Sequence, residues 1–206
     1  MPRLADHAER RAALADAVFA VVAREGLRGT SVRTIAAEVG WSPGAVRHYF
    51  SAQHDLLAFA MEEMDHRIAA RVMDVITWDG PGEECALELL EQLLPLDDLR
   101  RQEVAVYVEF VVAGRTDERL RPVATRAWQG ERWLVRAALA QALGLDSPQE
   151  AQTTLPAAAE GAVPGLHAVV DGLTLSGVGV PQEMDAAALR AVLREALAAA
   201  VARAAG

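Results

Sequence analysis

Residues Thr30 to Leu57 read TSVRTIAAEVGWSPGAVRHYFSAQHDLL, and the segment Ser42–Phe50 inside it poses the deciding question. Why does Ser-Pro-Gly open a short stretch that closes on Arg-His-Tyr-Phe? Upstream, Ser31 to Val39 places Val32, Ile35, Ala36 and Val39 at i, i+3, i+4 and i+7, the apolar stripe of a helix. Thr30 or Ser31 is suited to cap that helix by accepting its free N–H groups. Gly40-Trp41 then turns the chain, Ser42 supplies the next cap, and Pro43 takes the first helical position, where its missing N–H costs nothing. Two short helices joined by a three-residue, glycine-containing turn form a helix-turn-helix. At about 100° per residue, Val46, Tyr49 and Phe50 share one side of the second helix while Gly44, Arg47 and His48 share the other. The first set docks onto protein; the second faces outward, and Gly44 lets the backbone come close to a partner. Ser42 and the helix N-terminus offer donors and a positive dipole to phosphate. A helix that enters a DNA major groove has these properties. The bland alternative is a capped helix with a solvated face.

Working outward, the pattern is helical almost everywhere, and no segment alternates with period two long enough to make a strand. His7 to Glu25 carries Leu14, Val18, Val21 and Val22 on one face, the first of three short N-terminal helices. Glycine- and proline-bearing turns divide the rest, giving about nine helices in all. The low-complexity piece PAAAEGAVPG, Pro156–Gly165, reads as a loop or a broken helix. The expected fold is all-α, with a DNA-binding domain at 1–51 and a larger ligand-binding and dimerisation domain at 52–206.

The formal net charge of −9 argues against a nucleic-acid partner until its distribution is considered. Residues 1–50 hold seven arginines against five acids, formally +2, whereas residues 51–206 hold thirteen against twenty-four, formally −11. The head alone is fitted to meet phosphate. The single cysteine, Cys85, excludes an internal disulfide and fits a reducing compartment. The charged start MPRLADHAERRAAL lacks the apolar core of a secretion signal, and no run suits a membrane span, so a cytoplasmic protein is expected.

Taken as a unit, Thr30–Leu57 resembles the DNA-binding signature of the tetracycline-repressor (TetR) family of bacterial transcriptional regulators. The resemblance rests on Thr30, Val32, Ile35, Ala36, Gly40, Ser42, Gly44, His48, Tyr49, Phe50 and Leu56-Leu57. It implies a homodimer that binds a near-palindromic double-stranded operator, mostly as a repressor, and releases it when a small-molecule effector enters the C-terminal domain. By position, Thr30, Ser31 and Arg33 would contact or steer toward phosphates. Ser42, Pro43, Gly44, Ala45, Arg47 and His48, with Tyr49, would form the recognition surface. The family often has tyrosine where Arg47 stands and lysine where Gln53 stands. Arg47 has the fork that binds guanine bidentately, and it equally suits a phosphate.

Asp55 to about Trp78 reads as one long helix with Leu57, Met61, Met64, Ile68, Val72 and Val75 along a stripe, a mechanical link to the head. Ala186 to Ala204 aligns Leu189, Val192, Leu193, Ala196, Leu197 and Ala200. With His167 and Val170 from HAVVDGLTL, this stripe is the expected four-helix dimer surface; the alternative is that it covers the monomer's own core. The resemblance implies a ligand pocket lined by Met64, Trp78, Tyr107, Glu109, Phe110, Trp128 and Trp133, of which the large apolar and aromatic members are each also at home in a plain core. Glu109 lies in the apolar run VAVYVEFVVAG, where a carboxylate either meets a cationic ligand or pairs with an arginine such as Arg132 or Arg136. The internal pair is the expectation.

Enzymatic constellations are thin. The five histidines lack HExxH-type spacing, and no G-x-S-x-G elbow or phosphate-cradling loop occurs. His167 and Asp171 stand at i, i+4, which a surface or interface hydrogen bond explains. No catalytic group, metal site or cofactor is expected; an all-α enzyme or a helical bundle without DNA binding is the alternative.

Overall fold

The computed structural model describes residues 2–50, 53–75, 82–145 and 154–205, and every regular element among them is a helix. In chain order these are α1 (Pro2–Gly29), α2 (Val32–Val39), α3 (Pro43–Tyr49), α4 (Gln53–Val75) and α5 (Glu83–Glu91). They are followed by α6 (Asp98–Ala113), α7 (Arg121–Ala142), α8 (Ala157–Gly179) and α9 (Ala186–Ala205). Two compact units emerge: 1–67 with 105–127, and 68–104 with 128–206. Helices α4, α6 and α7 therefore each contribute residues to both.

In the first unit, α1 begins at Pro2, earlier than the expected His7, and its regular part ends at Gly26. Gly26 has φ 69°, a left-handed conformation that side-chain-bearing residues rarely adopt. Leu14, Val18, Phe19, Val21 and Val22 of α1 meet Ile35 and Ala36 of α2 and Val46 of α3 in a fully buried core. Burying each larger side chain of this set contributes about 2 kcal/mol. Leu56, Leu57, Phe59, Met61 and Met64 continue the buried set along α4, and Phe59 packs its ring 5.0 Å from that of Phe50.

The second unit is built on α5, α8, α9 and parts of α4, α6 and α7, with Leu89, Leu139, Val163, Val170, Leu189 and Leu193 wholly buried at its centre. Arg71 closes a bidentate pair on Glu103, donating at 3.1 and 2.7 Å to a carboxylate that is only 2% exposed. The stretch Pro156–Gly165, expected as a loop or a broken helix, is instead the start of α8, which runs continuously through Pro164. Proline there forfeits one helical hydrogen bond, but Ala159, Ala162 and Val163 before it and Leu166 after it are buried, and that packing outweighs the local loss. None of the helices among the described residues is long and apolar enough to cross a membrane.

Candidate nucleic-acid interface

The turn between α2 and α3 is held by local hydrogen bonds. Ser31 and Thr34 form a capping box: the Thr34 N–H donates to Ser31 Oγ at 3.1 Å and the Ser31 N–H to Thr34 Oγ1 at 2.8 Å. At the far end Gly40 adopts φ 75°, and the Trp41 N–H donates back to the Ala36 carbonyl at 2.8 Å. Ser42 Oγ then accepts the Ala45 N–H at 3.1 Å, and Pro43 opens α3. Cap, turn and cap occupy a dozen residues, which fixes the angle between the two helices.

On α3, Val46 and Phe50 are buried, Tyr49 is partly buried, and Ser42, Pro43, Gly44, Ala45, Arg47 and His48 are exposed. The outward face is open at its centre: a Cβ added at Gly44 would meet nothing nearer than Ser42 Oγ at 3.9 Å. Arg47 makes no hydrogen bond or ion pair among the described residues. Tyr49 is wedged between the rings of Trp41 at 6.1 Å and His48 at 5.9 Å, so it braces the turn as well as flanking the surface. On α2, Arg33 is exposed and Ser31 partly so. Thr30 is different. It is 1% exposed and its hydroxyl donates to the Gly26 carbonyl at 3.0 Å, so it shapes the turn and offers nothing to a phosphate.

Glu109 departs from the expected arginine pair. It is exposed on α6, and its Oε2 accepts the Leu27 N–H at 3.2 Å beside Gly26. That contact ties α6 to the break in α1. The two arginines are engaged elsewhere: Arg136 Nε donates to Glu160 at 3.0 Å, and the Arg132 guanidinium lies 5.7 Å from the Trp128 ring.

The remaining pocket candidates divide between the units. Met64 and Phe110 fill the first unit's core, with Tyr107 partly buried. Trp133 packs against the second unit's core, whereas Trp128 is 41% exposed and stacks 5.1 Å from His167. Trp78 lies outside the described residues. Sequence reasoning passed over Glu131, a buried carboxylate on α7 beside His167 and Asp171 of α8. Burial first, then the Glu131 charge and hydrogen bond, hold the Asp171 carboxyl above its ordinary range against the opposing pull of His167. The i, i+4 spacing of His167 and Asp171 was the one signal available.

The expected dimer stripe is also placed differently. Leu189, Leu193, Leu197 and Ala200 are buried within the single chain, as are His167 and Val170, because α9 folds back on α8 and buries its apolar stripe there. Ala196 is partly buried, and only Val192 of that set remains exposed. The outward face of α8 carries Gly161, Gly165, Ala168, Gly172 and Leu175, all exposed and none charged.

A helix-turn-helix with an uncommitted outward face, in a chain whose regular elements among the described residues are all helices, is the architecture of a DNA-binding transcriptional regulator. Comparison with known proteins gives the family. Residues 14–59 match the tetR family of bacterial regulatory proteins, and residues 82–202 match the C-terminal domain of BetI-type transcriptional repressors. The chain belongs to the TetR family. Among curated relatives it is 37% identical over 115 residues to the HTH-type transcriptional regulator PksA of Bacillus subtilis, a match covering 56% of this chain and 56% of that one. The aligned segment thus spans little more than half of that relative's length. A solved transcriptional regulator from Rhodococcus is 31% identical, with a TM-score of 0.77 over 93% of this chain and 96% of that one. The multidrug binding protein EbrR, solved with ethidium, is 27% identical, with a TM-score of 0.59 over 91% and 98% of the two chains.

Proposed function

We propose that the chain is a homodimeric repressor that binds a near-palindromic operator and releases it when a small-molecule effector binds. The observation that carries this reading is the outward face of α3, where Gly44, Arg47 and His48 are exposed on a helix locked in place by its caps. Residues 1–51 are assigned to DNA binding, with Arg33 and Ser31 toward phosphate and Arg47 the principal contact. The rest of the chain binds effector and partner, in the cytoplasm and without catalysis. EbrR's complex with ethidium supports an organic effector for a body of this fold.

The dimer surface we assign is the outward side of α8 and α9, with Leu175 58% exposed and Val192 40% exposed. The α8 face, uncharged and rich in small residues, suits close helix packing against a copy of itself, and α9 adds Val192 beside the exposed Arg190, Arg194 and Glu195. Effector binding is coupled to DNA through helices that belong to both units. In the first unit, the Glu109–Leu27 hydrogen bond ties α6 to the turn that precedes α2. A shift of α6 or α4 then moves the heads of the dimer away from half-sites spaced about 34–36 Å apart.

The test is binding to duplexes carrying the promoter nearest the chain's own gene, measured across salt concentration. Binding to a short palindrome, with log K falling linearly in log salt, supports the reading; the absence of any preferred site sinks it. Sedimentation of Leu175→Glu tests the dimer surface. A monomeric variant that keeps its helical spectrum supports the assignment, and an unchanged dimer refutes it.

A further inference from the structure

We propose that Glu131, His167 and Asp171 form a binding site for a divalent first-row transition-metal cation. His167 and Asp171 stand one turn apart on α8, and Glu131 reaches them from α7; one ligand atom from each lies within 4.8 Å of the others. The cluster is more than a group of acids, because a buried imidazole points into it. His167 is 3% exposed, yet its Nε2 has no hydrogen-bond partner among the described residues. That nitrogen lies 3.8 Å from Glu131 Oε2, too far for a hydrogen bond. Leaving a buried ring nitrogen unsatisfied is costly, and in native structures such an atom calls for an occupant. Glu131 is 5% exposed, so its carboxylate is held out of bulk water beside that nitrogen.

One imidazole and two carboxylates suit a borderline cation. Zinc, iron, cobalt, nickel and manganese take this donor set, whereas calcium and magnesium prefer oxygen alone. At bond lengths of about 2.1 Å, ligand atoms on a tetrahedral centre are about 3.4 Å apart, so the side chains need close by only about an ångström. Asp171 is partly exposed and leaves an entry path and room for water as a further ligand. Trp128 stacks on the His167 ring and serves as a built-in reporter. This inference stands independently of the operator reading.

The experiment uses the full chain after chelator treatment, titrated with Zn²⁺ by calorimetry and with Co²⁺ by absorption and tryptophan fluorescence. One ion per chain is expected, with ligand-field bands and quenching on Co²⁺ addition. Asp171→Asn keeps shape and sits at the surface, so it should fold normally and lower metal affinity about tenfold or more. His167→Ala should abolish binding, but it also opens a core cavity, so the Asp171 variant carries the test if that chain fails to fold. Trp128→Phe should retain binding and lose most of the quenching. The proposal is overturned by the absence of saturable one-to-one binding, or by binding that Asp171→Asn leaves unchanged. Displacement of Co²⁺ by tetramethylammonium with the same residue dependence would also overturn it, by assigning the carboxylates to an organic cation.

Discussion

The outward face of α3 and the seam between α7 and α8 in the second unit are both polar, yet they are built in opposite ways. On α3 the polar groups face solvent, and Arg47 is committed to nothing within the described residues. In the seam, Arg136 is held by Glu160, which also accepts the Leu155 N–H at 3.3 Å. A polar group left uncommitted on a rigid helix is available to a partner. One already satisfied inside the chain supports the fold. Substitution on α3 should therefore change binding and leave stability nearly untouched, and substitution among the second unit's internal pairs should do the reverse.

The sharpest contrast comes from Glu103. Glu103→Ala removes the buried carboxylate from Arg71, whose side chain is 25% exposed and keeps Gln92 Oε1 at 3.3 Å, and should cost about 3 kcal/mol of stability, the low end for breaking a buried pair. Chemical denaturation checks it, and a change near zero would mean that the second unit's polar pairs are as dispensable as surface ones. Arg47→Ala should weaken operator binding by about 1–3 kcal/mol with an unchanged melting midpoint. A base contact would relax preference at one base pair, a phosphate contact would weaken all sequences alike, and titration against an operator panel separates the two. If Arg47→Ala instead lowered stability as much as binding, the two regions would not differ as described.

Ser42→Ala blurs the contrast usefully, because this residue is both a cap and part of the surface. It should cost about 1 kcal/mol of stability by removing the side-chain acceptor of the Ala45 N–H, which keeps only the Ser42 carbonyl at 3.0 Å. The smallest effect is that of pH at Glu160. Burial opposes its ionisation, but the Arg136 hydrogen bond, the Leu155 N–H and nearby positive charge together hold its carboxyl below the ordinary value near 4.5. Its contribution is therefore complete above that value and is lost as pH falls through the lowered folded-state value. Melting midpoints of the wild type and Glu160→Gln should converge as the medium is acidified through this window. A gap that stayed constant would remove the pairing as its cause.

Glu109 and the α9 stripe mark where sequence reasoning stops. A carboxylate in an apolar run needs a partner, which is legible; that the partner is the Leu27 N–H beside a kink, 82 residues upstream, is not. The stripe Leu189, Leu193, Leu197 and Ala200 shows that α9 buries one face, but periodicity does not say whether the same chain or a copy covers it. The fold supplies the answer, since α8 of the same chain does. Thr30 makes the same point within the head, where its position suggested a phosphate and its hydroxyl went to Gly26.

What the sequence determined by itself is the helix-turn-helix and its outward face. Caps, a turn glycine and the helical period act over three or four residues, and each is written in adjacent letters. What tertiary structure alone decided is every pairing across distant helices: Glu109 with Leu27, Arg71 with Glu103, and Glu131 beside His167 and Asp171. Those partners are set by packing of whole helices, in which many apolar contacts compete and no local spacing names the winner.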